Sequence, residues 1–304
     1  MSSRPLYLHR LTGPRFEPSD VQRYYDANTA AFVRHGQGGR LGAIHRAVWG
    51  PGVADRDRAF HYVDDLILRE LDTLAADRPL RVLDLGCGVG GSLAYLAQQR
   101  PIRGIGVTLS PVQARLARER VAAQGLADRI EIVQGDYNAL PDGLEPVDLA
   151  YAIESFVHGA SPDRFLSEAA RVLVPDGLLI VCDDMRTDDE HRRPDLARAT
   201  ASAQAARTLA QFARGWHVNT LVAPQDLHRL AAGAGFAHLG TTDLTPYLEL
   251  ARPRDRAIAL LASAVGWMPA ISRRLAPLVG GAALQRGLAR GWIAYHYAVF
   301  RRRV

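Results

Sequence analysis

Arg81–Leu96, RVLDLGCGVGGSLAYL, constrains this chain more than any other stretch. Arg81–Leu85 predicts a short buried strand, and Gly86, Gly88, Gly90 and Gly91 strip side chains from the turn that follows. Ser92 then opens a helical pattern. Glycine lets the backbone bend sharply and lets a ligand approach it closely. The helix start offers N–H groups with no partner inside the helix, and Asp84 sets a carboxylate beside them. A strand, a glycine turn and a helix in this order predict a site for a nucleotide-like cofactor.

The rest of the chain arranges itself around that stretch. Strands are predicted at 81–85, 104–108, 129–134, 147–152 and 178–182, with helices between them at about 92–99, 111–124 and 162–173. Runs of Val, Ile and Leu without alternation fit strands buried on both faces, as in a parallel sheet covered by helices. Ligands of such sheets lie beyond the carboxyl ends of the strands. Gly86, Thr108, Asp136, Glu154 and Asp183 all fall at those ends and are expected to share one cleft.

Upstream, a Pro-containing arm precedes helices predicted at Val21–Arg34 and Asp55–Ala76, with an irregular segment, Arg40–Val53, between them. Residues 1–78 are expected to form a helical cap or lid, and 79–304 the cofactor-binding domain. Downstream, the acidic groups Asp183-Asp184 and Asp188-Asp189-Glu190 read as a solvated loop after the fifth strand rather than as a metal site. Helices follow at about Leu196–Arg214 and Gln225–Ala232, then a strand at Phe236–Thr242, a helical insertion at 253–290 and a last strand, Trp292–Phe300. That ending closes the sheet with an antiparallel edge.

Composition removes several alternatives. All 37 basic residues are arginine, so a Schiff-base lysine and a lysine-bearing phosphate loop are both excluded. The net charge of +5 is spread over helical faces and not gathered in a stripe, which argues against nucleic acid. No apolar run reaches the roughly 18 residues of a membrane span and no leader is read. Two cysteines, Cys87 and Cys182, make no disulfide framework. A cytoplasmic protein with a small-molecule acceptor is expected, and a homo-oligomer is compatible with the chain.

Gly86, Gly88 and Gly91 also satisfy the dinucleotide pattern G-x-G-x-x-G, so NAD must be weighed. Against it, the second strand ends in Thr108-Leu109-Ser110, with no acid to hold a ribose. The pattern that includes Asp84, D-x-G-x-G-x-G, resembles that of the class I S-adenosylmethionine-dependent methyltransferases from about residue 79 to 185. The resemblance implies a Rossmann-like, mostly parallel seven-stranded α/β sheet with an N-terminal helical lid and a helical insertion before the last strand. It implies a cofactor, S-adenosylmethionine, held by Asp84, Gly86, Gly88 and Gly90, with Asp136 and Tyr137 at its adenine. The T-L-S-x-x-Q run from Thr108 to Gln113 is similar to that of cyclopropane-fatty-acid synthases and terpene C-methyltransferases, where the Thr and Gln contact the cofactor.

Ile153-Glu154…His158 resembles the I-E-x-x-x-H stretch of sterol and related C-methyltransferases. Arg40-Leu41-Gly42, His45 and Trp49-Gly50 resemble the lid of geranyl diphosphate C-methyltransferases. The tail from Gly291 to Tyr297 is similar to theirs as well. When an alkene attacks a sulfonium methyl group, a carbocation forms that must be shielded from water and then lose a proton. Aromatic rings stabilise such a cation, and a carboxylate can stabilise it and act as base. The expected reaction is therefore C-methylation of an isoprenoid, in its narrowest form a prenyl diphosphate carrying Mg2+. Glu154 is expected to be the base and His158 a second catalytic group. Trp49, Phe156 and Trp216 are expected to wall the pocket, and Arg40, Arg46 and arginines of the insertion are available for a diphosphate. N- or O-methylation of a small natural product in the same fold is the alternative, with an NAD(P)-dependent oxidoreductase behind it.

Overall fold

The structure, a computed structural model, describes residues 15–35, 38, 41–74, 77–187, 195–250, 252 and 276–304. Arg40, the acidic run 188–190 and the insertion segment 253–275 lie outside the described residues.

Helices α1 (Pro18–His35) and α2 (Arg56–Leu71) precede β1 (Arg81–Leu85), α3 (Gly91–Gln99), β2 (Arg103–Thr108), α4 (Pro111–Ala123), β3 (Ile130–Gln134) and β4 (Val147–Ile153). A short 3-10 turn (Phe156–His158), α5 (Pro162–Val172) and β5 (Leu173–Arg186) follow. The chain continues through α6 (Asp195–Trp216), α7 (Pro224–Gly233), β6 (Phe236–Asp243), α8 (Ala276–Ala289) and β7 (Ile293–Arg302).

The strands form one seven-stranded sheet in the order β3-β2-β1-β4-β5-β7-β6. β1 to β5 run parallel, and β7 inserts antiparallel between β5 and β6. The expected architecture is the observed one. The order reverses beside β1, where β2 lies on one side and β4 on the other, so a crevice opens above the glycine turn.

Both faces of the sheet are covered. On one, Val63, Ile67 and Leu71 of α2 join Val82, Leu93, Leu96 and Leu149 in a single buried cluster. Their spacing of four residues puts them on one helix face, and burying each such side chain contributes about 1.5–3 kcal/mol. On the other face Leu83, Leu85, Ala150, Phe156, Phe165 and Leu179 pack together.

Two elements differ from the expected ones. α2 ends not at Ala76 but at Leu71, where the bonding tightens to three-residue turns, Thr73 N–H onto Glu70 and Leu74 N–H onto Leu71, with the Thr73 hydroxyl also donating to Glu70. β5 runs on through Asp183 and Asp184 to Arg186, where a solvated loop was expected. Its antiparallel partner β7 pairs with it from Leu178↔Arg301 to Arg186↔Ile293, and that ladder carries the two aspartates into the interior. Asp183 is fully buried and Asp184 nearly so.

Candidate active site

β1 delivers the chain into the glycine turn. The N–H groups of Gly86 and Cys87 both donate to the Val107 carbonyl, at 3.0 and 2.9 Å, which pins the turn to β2. Gly86 has φ +111°, and a Cβ there would lie 2.3 Å from Cβ of Ser155. Gly88, at φ +53°, faces the cavity, with Ile44 its nearest neighbour. Gly90 stands behind the turn, where a Cβ would meet Ala117 at 3.3 Å; it packs on α4 and does not line the cavity. At Gly91 the backbone of the segment before α2 closes in, since a Cβ would lie 2.5 Å from the Gly42 carbonyl oxygen.

A cavity of about 280 Å³ opens against this turn. Asp84, Thr108, Gln113 and Tyr137 line the side next to the glycine turn. The Tyr151 hydroxyl donates to Asp84 at 2.8 Å. Burial pushes the Asp84 carboxyl up to about 8, against the pull of that hydrogen bond and helped by Asp64. Thr108 donates to the Gln113 amide oxygen at 2.8 Å, leaving the Gln113 amine as a donor. Ser110 caps α4 and donates to Asp26 of α1 at 2.5 Å, tying that helix over the cavity. Asp136 sits just past β3, its carboxylate accepting from the N–H and amide of Asn138, and is not among the lining residues. Its neighbour Tyr137 is, with its hydroxyl held by the Ser155 carbonyl at 2.6 Å.

On the opposite side stand Glu154, His158, Asp183 and Trp216. Glu154 follows β4 at φ +50°. One of its oxygens accepts from the backbone N–H and Nε of Arg46, at 2.9 and 3.1 Å. Burial raises its carboxyl, but the Arg46 charge, His45 and the Arg46 hydrogen bonds outweigh burial, and the net position is below the ordinary glutamate range. Arg46 also forks onto Asp184, at 2.9 and 2.6 Å. It is therefore committed to two carboxylates and is not the free phosphate ligand the sequence made available. Asp183 accepts from the N–H groups of Asp184 and Val157, and burial, then the Asp184 charge, push its carboxyl well up.

Two of the three aromatic walls lie elsewhere. Phe156 is buried in the core against Phe165, ring centroids 5.0 Å apart. In a 3-10 turn, residues three apart share a face, so Ser155 and His158 face the cavity while Phe156 turns away. Trp49 lies outside the cavity, with its ring 5.5 Å from the Arg56 guanidinium and its backbone N–H donating to the Tyr247 carbonyl at 2.7 Å. Trp216 does line it, its indole donating to the Pro277 carbonyl at 2.9 Å. The remaining wall comes from α1, where Val21, Tyr24, Tyr25 and Phe32 face inward. Their helical spacing was legible, but nothing local marked that face as a pocket wall rather than core.

His158 Nδ1 faces the His217 carbonyl at 3.3 Å and Nε2 meets the Tyr25 hydroxyl at 2.7 Å. A carbonyl partner keeps the proton on Nδ1, so Nε2 accepts from Tyr25. Burial lowers the imidazole to about 4, against about 6.5 for an ordinary histidine in the unfolded chain. The unfolded chain therefore takes up a proton that the folded one refuses. Stability from this group is full above pH 6.5 and falls as the pH drops toward 4, by about 3 kcal/mol in all. Denaturant unfolding across that window is expected to show His158→Gln losing this share of the slope. Superimposable pH curves for the two proteins would mean that the imidazole is not held neutral.

Comparison with known proteins agrees with this geometry. A family model described as a methyltransferase domain matches residues 82–177. The O-methyltransferase cnsE of Penicillium expansum is 30% identical over 229 residues, covering 75% of each chain. Against the first of the other curated relatives the chain spans about half their length or less. Among solved structures, the [4+2]-cyclase SpnF superposes with a TM-score of 0.69 at 25% identity, covering 96% of this chain and 99% of that one. A geranyl diphosphate methyltransferase bound to GPP and sinefungin gives 0.69 at 18% identity, covering 94% and 98%, a likeness of fold. The glycine turn after β1, the sheet order and these matches converge: the chain belongs to the class I S-adenosylmethionine-dependent methyltransferases.

Proposed function

We propose that the protein methylates an alkene carbon of an isoprenoid, with S-adenosylmethionine held at the glycine turn. The turn fits that ligand: three glycines at positive φ fold the backbone away, and Gly88 presents no side chain to the cavity. Asp84, Gly86, Gly88, Thr108, Gln113 and Tyr137 would hold it, with Asp136 near the adenine end. When bound, it supplies an electrophilic methyl group.

The observation that carries the reading is Glu154, a largely buried carboxylate held below the ordinary glutamate range beside Arg46, on an aromatic cavity. A negative group and the rings of Tyr24, Tyr25 and Trp216 suit a developing carbocation. Helix α1, tied down at Asp26 and Tyr25, covers one side of the cavity. A carbocation is so strong an acid that a weak base can deprotonate it. Both candidate bases are weak, since Glu154 is depressed and His158 lies near 4. Removing a proton from a hydroxyl calls for a base poised near neutrality.

Among the described residues lining the cavity, Arg46 is the one arginine, and it is spent on Glu154 and Asp184. An uncharged isoprenoid suits those residues better than a prenyl diphosphate with Mg2+. A second reading, O- or N-methylation of a natural product, is favoured by the neutral Nε2 of His158 reaching the cavity through Tyr25.

A panel incubation with S-adenosylmethionine separates these readings. Prenols, polyenes, prenyl diphosphates with and without Mg2+, phenols and amines are offered, and products are fragmented in a mass spectrometer. Methyl gain on the skeleton of an uncharged isoprenoid is expected. Transfer only to oxygen or nitrogen would put the second reading first. An acceptor rearranged at unchanged mass would set the activity beside that of the cyclase neighbour.

A further inference from the structure

Arg46 belongs to the segment between α1 and α2, outside the sheet, yet the carboxyl ends of two parallel strands hold it. Its N–H and Nε meet one oxygen of Glu154 after β4, and its two terminal nitrogens fork onto Asp184 of β5. The flat face of the guanidinium lies 4.4 Å from the ring centre of Tyr295 on β7, the residue paired with Asp184 across the β5–β7 ladder. A planar cation with directional donors makes this set of contacts; an ammonium group does not.

The side chains of Arg46, Glu154 and Asp184 are 18, 13 and 2% exposed, so the charges meet where water screens them little. Glu154 needs such a grip, because φ +50° is a backbone region that residues with a Cβ avoid. Its N–H is already committed to the Cys182 carbonyl at 2.9 Å. With Oε1 taken twice by Arg46, Oε2 has no hydrogen-bond partner among the described residues.

We propose that Arg46 is the positioning residue of the acceptor chamber, gripping Oε1 of Glu154 so that Oε2 is the oxygen presented to the acceptor. This rests on the role given to Glu154 above. The groups that share its electrostatics come from every element around it. They are His45 beside it, Tyr25 of α1, His158 of the 3-10 turn, Cys182, Asp183 and Asp184 of β5, and Tyr295 and His296 of β7.

The test needs no acceptor in its first arm. Protein labelled with 13C at glutamate carboxyls is titrated by NMR, with the Glu154 signal assigned by its loss in Glu154→Gln. In Arg46→Gln the Glu154 midpoint is expected to rise by at least one pH unit, and in Arg46→Lys by less. Affinity for S-adenosylmethionine, read by calorimetry, is expected to stay within threefold. On whichever acceptor the wild type methylates, kcat falls about 100-fold in Arg46→Gln and about tenfold in Arg46→Lys, with the acid limb of the kcat–pH profile moved upward in the first. An unmoved Glu154 midpoint, or a loss of cofactor affinity as large as the loss of kcat, overturns the proposal. If Arg46→Gln does not fold, Arg46→Lys decides, since wild-type turnover in that variant would also overturn it. The isoprenoid reading fails separately, on the identity of the methylated product.

Discussion

Replacing Glu154 by Gln is expected to lower turnover by about 100- to 1,000-fold while affinity for S-adenosylmethionine stays within threefold. Gln keeps the shape and keeps an oxygen for the Arg46 donors at 2.9 and 3.1 Å. It removes only the charge. A unit charge about 4 Å from a developing cation is worth about 4 kcal/mol at an effective dielectric constant of 20, and each 1.4 kcal/mol is tenfold in rate. The loss falls on kcat, because the charge acts on a cation absent from the ground state. The variant leaves Asp184 as the one charged partner of Arg46 in this trio, a pair that closes on itself. Radiolabelled methyl transfer under single-turnover conditions gives the rate, and calorimetry gives the affinity. Turnover within twofold of wild type would remove Glu154 from the chemistry.

Gly86→Ala is expected to be the most damaging single change to the cofactor turn. The new Cβ would lie 2.3 Å from Cβ and 2.7 Å from Oγ of Ser155, whose hydroxyl is itself held by the Leu85 carbonyl at 2.6 Å. Neither side can yield, because β1 and β4 are adjacent strands of the sheet. Overpacking of this kind costs about 1–3 kcal/mol, and φ +111° adds about 1–3 kcal/mol of backbone strain for a residue with a Cβ. The sum is a large share of the roughly 5–15 kcal/mol that keeps a domain folded. Adding Ser155→Gly should return the steric part and leave the strain. Urea unfolding of the single and double variants measures both terms. A Gly86→Ala protein within 1 kcal/mol of wild type would contradict the turn as described.

The sheet was legible because its signals are local. Apolar runs ended by glycine, proline or a capping Ser marked β1 to β4 and α3 to α5 to within a residue or two. Residues at strand ends were legible for the same reason, and Asp84, Gly86, Gly88, Thr108, Gln113, Tyr137, Glu154 and His158 all line one cavity. Errors arose where one residue of phase or one distant partner decides the outcome. Phe156 and His158 are two positions apart, and only the tightness of the turn between them sends the first to the core and the second to the cavity. Asp183-Asp184 has the composition of a loop, and became strand because β7, more than a hundred residues later, pairs with it.

By itself the sequence determined the order of strands and helices, the glycine turn and the chemical type of the cofactor side. Each of these depends on residues within about one turn or one strand of each other. Only the tertiary structure decided what the side opposite the glycine turn is made of. Tyr25 meets His158 across 133 positions, and Arg46 meets Glu154 across 108 and Asp184 across 138. No periodicity reports such pairs. They exist because a parallel sheet gathers the carboxyl ends of its strands at one edge, and α1 and residues 41–50 fold back over that edge. The glycine turn reads as a cofactor site from its own residues, whereas the buried charges opposite it acquire their partners only when the chain closes.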